Sequence, residues 1–136
     1  MSGSATVQDD AAIRNVMSSY ETALNASNTA AVLPLYAEDG VFMAPNFQSA
    51  IGKAAVQQAY DAVFKAITLK VKFTIVELVV MSQQWAFVRT NSAGTQKINA
   101  TGAASAEANQ ELFIFRKGDD GMWRIARYSF STTNPV

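Results

Sequence analysis

The sequence predicts an α+β domain in which three N-terminal helices pack on an antiparallel sheet. Three observations predict it. The chain has 136 residues, which suits one domain spanning 1–136. Apolar residues make up 49% and charged residues 16%, enough to build a core. Apolar positions recur every three or four residues in the first half and every second residue after Leu69. Helices gathered first and strands gathered last imply α+β with an antiparallel sheet.

The first helix is expected over Gln8 to Ala26, where Ile13, Val16, Met17, Tyr20 and Leu24 share one face. Thr6 with Asp9 resembles a capping box. Ser27 and Asn28 break the pattern and offer a cap for a short helix over Thr29 to Tyr36, in which Pro34 predicts a kink or an early end. Glu38-Asp39-Gly40 reads as a turn, and Val41-Phe42-Met43 as a short strand. Gly52 precedes a third helix, Lys53 to Ala66, with Val56, Tyr60, Val63 and Phe64 on its apolar side. Strands are expected over residues 70 to 81, 84 to 92, 107 to 117 and 122 to 131. Ala93 to Ser105 is rich in small and polar residues and reads as a long hairpin excursion. Gly118-Asp119-Asp120-Gly121 is a turn, and Thr132 to Val136 a tail.

Composition excludes much chemistry. There is no cysteine and no histidine, so thiolate nucleophiles, disulfides, zinc-thiolate sites and imidazole bases are all absent. Eleven basic residues balance eleven acidic ones and never cluster, which argues against a nucleic-acid partner. No carboxylate spacing resembles a metal loop and no glycine pattern resembles a phosphate loop, so neither a metal nor a cofactor is expected. No apolar stretch reaches membrane-spanning length. Met1 to Ala5 lack the basic start of a signal peptide, and a cysteine-free chain fits a reducing compartment, so a cytoplasmic location is expected.

Alternation assigns faces to the strands. Asn109, Glu111, Phe113 and Phe115 share one face of their strand. Trp85, Phe87, Arg89 and Asn91 are expected to share one, and so are Trp123, Ile125, Arg127 and Ser129. Each set carries one charge among apolar groups, which needs a partner. Arg89, Glu111 and Arg127 are therefore expected to satisfy one another across strands, either lining a net-positive pocket suited to an acidic ligand or forming a structural ion-pair network. Tyr20 lies on an apolar helix face, where a buried hydroxyl needs a partner. Tyr60, Phe64, Met43 and Phe73 are candidate pocket walls and equally candidate core residues. Strands apolar on both faces predict a homodimer through the sheet.

The order of elements resembles the nuclear transport factor 2-like superfamily, which includes ketosteroid isomerases, SnoaL-like polyketide cyclases and the association domain of calcium/calmodulin-dependent protein kinase II. Residues Tyr20 to Asp39 (YETALNASNTAAVLPLYAED), Trp85 to Ser92 (WAFVRTNS) and Glu111 to Tyr128 (ELFIFRKGDDGMWRIARY) carry the resemblance. It implies a strongly curved sheet forming a cone wrapped by helices, with one pocket at the open end. Against ketosteroid isomerases, Tyr20 matches the oxyanion-binding tyrosine, while Ala44 stands at the position of the general base and Phe113 at that of the second oxyanion donor. Neither can exchange a proton. Against the kinase association domain, Arg89 and Glu111 match a pocket arginine and glutamate.

The expectation is a small-molecule-binding pocket protein, at most a weak isomerase or cyclase, acting on an apolar, acidic or enolisable ligand. Tyr20 would stabilise an oxyanion and Glu111 would be the acid or base. Arg89, Arg127, Asn109, Trp85, Phe113, Met43 and Tyr60 would contact the ligand. A glutamate held by two arginines would have a lowered pKa and be a poor base, which favours binding over catalysis. The alternative is a non-catalytic oligomerisation or accessory domain.

Overall fold

The computed structural model describes residues 3–134, so Met1 and Ser2 at the start and Pro135 and Val136 of the tail lie outside the described residues. The order is α1 (Gly3–Asn25), α2 (Thr29–Val32), a 3-10 turn (Leu33–Leu35), β1 (Tyr36–Met43), β2 (Ala50–Ile51), α3 (Lys53–Ala66), β3 (Ile67–Val80), β4 (Trp85–Ile98), β5 (Ala104–Lys117) and β6 (Trp123–Thr132). The sheet runs β2-β1-β6-β5-β4-β3. All neighbours are antiparallel except β1, which runs parallel to β6. A parallel pair needs a long crossover, and everything between β1 and β6 supplies it.

α1 presents Ile13, Met17, Tyr20 and Leu24 to the core at helical spacing. Its start lies upstream of Thr6, so Thr6 and Asp9 sit inside the helix and form no capping box. Asp9 instead accepts hydrogen bonds from Trp123 Nε1 (3.0 Å) and Lys117 Nζ (3.1 Å), tying the helix to the far hairpin. Asn28 caps α2 by accepting from the Ala31 amide. Pro34 ends that helix early, and the last turn tightens to 3-10.

The expected turn at Glu38-Asp39-Gly40 is instead an irregularity within β1, where the pairing with β6 shifts between Tyr36 and Val41. A side chain at Gly40 would come within 2.8 Å of the Tyr36 ring and 2.9 Å of the Ala37 carbonyl. Here the glycine allows close packing rather than a turn.

The expected excursion over Ala93 to Ser105 is mostly strand. β4 runs on to Ile98 and β5 starts at Ala104, leaving a short hairpin loop between them. The small residues mark close approach: a Cβ on Gly94 would stand 2.0 Å from the Lys70 carbonyl oxygen. Asn99 in that loop donates to the Phe64 and Lys65 carbonyls, satisfying the C-terminal end of α3. The outer edge of β3 is covered by α1, whose Asn25 side chain bonds both Val71 N–H (2.8 Å) and C=O (2.7 Å) while Glu21 accepts from the Phe73 amide (2.6 Å).

Two strand faces differ from expectation. On β4, Ala86, Val88, Thr90 and Ser92 face the core, and Trp85, Phe87, Arg89 and Asn91 face outward. On β6, Trp123 and Ile125 face inward as expected, but Ala126 is an extra residue in the pairing with β5. That bulge inverts the remainder of the strand, so Tyr128 and Phe130 point inward and Arg127 outward.

Candidate functional site

Between the helices and the concave face of the sheet lies a cavity of about 610 Å³. Tyr20 and Leu24 of α1 form one wall, and Ala59, Tyr60 and Val63 of α3 a second. The sheet contributes Phe42, Leu69, Val71, Phe73, Tyr128 and Phe130. The loop after β1, with an exposed Phe47, borders the opening. Most of the polar lining is a strip on the last strands, Ser92 and Gln96 of β4, Glu107, Asn109 and Glu111 of β5, and Thr132 of β6, and the loop after β1 adds Asn46 and Gln48.

Glu111 is the deepest charge, only 5% exposed. Thr90 Oγ1 donates to one of its oxygens and Ser92 Oγ to the other, each at 2.6 Å. Register places both donors, because Thr90 pairs with Glu111 and Ser92 with Asn109 on the adjacent strand. Desolvation pushes the Glu111 carboxyl above its ordinary value. The two hydroxyls oppose that rise and the charge of Glu107 adds to it. A glutamate in this setting gains a proton more readily than one in water.

Tyr20 faces the same cavity. Its hydroxyl lies 2.7 Å from that of Tyr60, which lies 2.7 Å from that of Tyr36. Burial raises all three phenols, so they stay neutral and able to donate. With Tyr36 donating to Tyr60 and Tyr60 to Tyr20, the Tyr20 proton is free to point at a ligand oxygen. Tyr20 also packs edge-on against Phe73, Phe113 and Tyr128, which fixes the ring.

The structure brings together Tyr20, Tyr60, Phe73, Asn109 and Glu111 of the residues singled out from sequence. Phe113 lies on the expected face but beneath the cavity, fully buried and stacked on Tyr128 with centroids 4.0 Å apart. Met43 alternates with Phe42, and Phe42 takes the wall. Phe64 packs against the core and does not line the cavity.

The expected arginine–glutamate trio does not form. Arg89 Nε pairs with Glu77 Oε1 at 2.6 Å on the outer face, and Trp85 lies under the Arg116 guanidinium on that side. Arg127 donates to the carbonyls of Asp39 and Ala126. No arginine or lysine lines the cavity among the described residues. The lowered pKa expected for Glu111 is therefore reversed, and with it the argument against a base.

Sequence reading missed Tyr36, Thr90, Ser92, Tyr128 and Glu107. One signal was available: tyrosines occur only four times in the chain, and a tyrosine hydroxyl that folding buries needs a partner.

A profile described as the SnoaL-like domain matches residues 16–128. No curated protein sequence matches significantly. Among solved structures, a ketosteroid isomerase-like protein from Erwinia carotovora atroseptica is 38% identical with a TM-score of 0.89, over 92% of this chain and 96% of that one. A hexachlorocyclohexane dehydrochlorinase (LinA, type 2) is 11% identical with a TM-score of 0.87, over 98% and 90%. A nuclear transport factor 2-like protein with a cystatin-like fold from Novosphingobium aromaticivorans is 19% identical with a TM-score of 0.74, over 96% and 86%. The last two share the fold alone. The chain belongs to the SnoaL-like domain family, on a nuclear transport factor 2-like fold.

Proposed function

We propose that the chain binds a neutral, largely apolar carbonyl compound and catalyses proton transfer next to its carbonyl, an isomerase-type activity. The observation that carries this reading is Glu111, held by two hydroxyls in a desolvated position that opens on the same apolar cavity as the Tyr20 hydroxyl. The ionised Glu111 carboxylate takes a proton from the carbon beside the carbonyl. The C–H electron pair moves to the carbonyl oxygen, and Tyr20 donates a hydrogen bond to the enolate. Return of the proton to the same or a conjugated carbon completes exchange or isomerisation. The raised Glu111 pKa brings its basicity nearer neutral pH, where proton transfer is most efficient. Ala44 in the cavity wall cannot take a proton, so this reading places the base on β5 instead. A cavity lined by no arginine or lysine among the described residues gives no support to the acidic ligand expected from sequence. The similarity to a ketosteroid isomerase-like protein at 38% identity supports the reaction class.

The test is deuterium exchange. The protein is incubated in D2O with 4-phenylbutan-2-one and related neutral ketones, and loss of the α-proton signals is followed by NMR. Exchange at least ~100-fold slower in Glu111→Gln than in the unaltered chain is expected. Absence of enzyme-dependent exchange across the panel, or an unchanged rate in the variant, overturns the reading.

The outer face of the sheet favours a second reading, self-association. Val79, Phe87 and Ile114 lie side by side across β3, β4 and β5, beside exposed Leu112. Sedimentation velocity should show a dimer that Leu112→Asp dissociates, and a monomer at all concentrations removes this reading.

A further inference from the structure

We infer that the mouth of the cavity holds a subsite for a protonated amine, centred on Glu107, so that the ligand is an amphiphilic amine with its carbonyl at the buried end. The inference rests on the proposed reaction only for the position of that carbonyl. The polar strip is not uniform. Glu111 at its deep end is buried, with one hydrogen bond accepted on each oxygen, from Thr90 and Ser92. Glu107, four residues along the same strand, is half-buried and also lines the cavity. Its one side-chain hydrogen bond among the described residues is a long one, 3.3 Å from Asn109 Nδ2. It makes no ion pair among the described residues. A carboxylate has about four acceptor positions, so Glu107 keeps most of its capacity facing the cavity.

Its surroundings select the partner. Gln96, Asn109 and Thr132 add neutral groups to the lining on that side, and among the described residues no cation lines the cavity to compete. An ammonium meets a charge-assisted acceptor there, a hydroxyl a weaker one, and a ligand carboxylate meets two glutamates of its own sign. Four residues of strand place Glu107 about 13 Å from Glu111, at about 3.3 Å per residue. A ligand with one ring between carbonyl and amine spans that separation once side-chain reach is counted.

The experiment uses 4-phenylbutan-2-one carrying a para methyl, hydroxymethyl, aminomethyl or carboxymethyl group, with affinities measured by calorimetry. The aminomethyl compound should bind about tenfold tighter than the methyl compound, and the carboxymethyl compound weakest. The preference should shrink as salt is raised. Glu107→Gln should bring the amine-to-methyl ratio near one, and Glu107→Lys should reverse the order in favour of the carboxymethyl compound. Arg89→Met, on the opposite face, should leave the ratio intact. Equal binding of the amine and hydroxyl compounds, or an amine preference that survives Glu107→Gln, overturns the subsite. Amine preference without proton exchange refutes the proposed reaction and keeps the subsite, and exchange without amine preference does the reverse.

Discussion

Glu111 and Arg89 occupy neighbouring strands one residue out of register, yet they sit in different solvents. Arg89 pairs directly with Leu112, and Glu111 with Thr90. Glu111 points into the concave face, where burial pushes its carboxyl up and two hydroxyls donate to it. Arg89 points to the convex face and meets Glu77, with both side chains about half exposed (53% and 41%). The difference teaches that a charge on the inner face must be desolvated and hydrogen-bonded, while charge on the outer face is cheap. A change of one position in strand parity moves a residue from one regime to the other.

The comparison is sharpest at Phe113 and Leu112, adjacent on β5. Phe113 is fully buried, stacked on Tyr128 and packed edge-on to Tyr20. Phe113→Ala should cost about 4 kcal/mol through lost burial and the cavity left behind. Leu112 is 43% exposed, and Leu112→Ala should cost under about 1 kcal/mol. Urea denaturation at one fixed protein concentration measures both. Similar costs would show that the convex face is as much a core as the concave one, which is the behaviour of a sheet buried in a dimer.

The next effect belongs to Tyr60. Its hydroxyl is the middle of a three-tyrosine chain, so Tyr60→Phe removes the partner of both Tyr20 and Tyr36. Tyr36 is fully buried and has no other side-chain hydrogen bond among the described residues, so the variant should lose about 2 kcal/mol. The Tyr20 hydroxyl, bordering the cavity, is free to turn. Under the proposed reaction, α-proton exchange should then slow more than ligand affinity falls. Loss confined to affinity would remove Tyr20 from the chemistry.

How legible these faces were in the sequence depends on the strands themselves. On β5 the alternation is regular, and Asn109, Glu111, Phe113 and Phe115 were placed on the inner face correctly. On β4 both parities carry apolar residues. The larger ones, Trp85 and Phe87, read as core. Yet the inner positions are taken by Ala86 and Val88, because the aromatic rings of α1 and β5 already fill that space. On β6 the pattern was right until Ala126, where a bulge that leaves no sequence mark inverted the rest. α3 was legible to the residue, bounded by a glycine and a change of period. Thr90 and Ser92 were invisible as site residues because a strand threonine or serine reads as filler until its cross-strand partner is known.

A smaller effect separates the two faces by pH. Glu111 holds its proton more tightly in the folded chain than in the unfolded one, where its value is near 4.5. The folded state therefore binds more protons as pH rises from that value to the raised folded one, and stability falls across that window before levelling off. Glu111→Gln removes this penalty. Its melting temperature should match the unaltered chain below pH 4 and exceed it at neutral pH, provided that Thr90 and Ser92 turn to serve the amide. A difference independent of pH would mean that the carboxyl does not titrate differently on folding.

The smallest effect is at Arg89. An exposed ion pair gains little in water and is screened by salt, so Arg89→Met should change stability by less than about 0.5 kcal/mol. Its side chain does not line the cavity, so the affinity for the neutral ketones should not move. Sequence alone argued the opposite, with Arg89 gripping Glu111 and an acidic ligand. Stability and ligand affinity measured on this one variant thus weigh the two strand parities directly. An unaltered protein supports the outward face seen here. A large loss of both would mean that β4 is shifted by one residue, with Arg89 turned into the cavity and Thr90 away from Glu111.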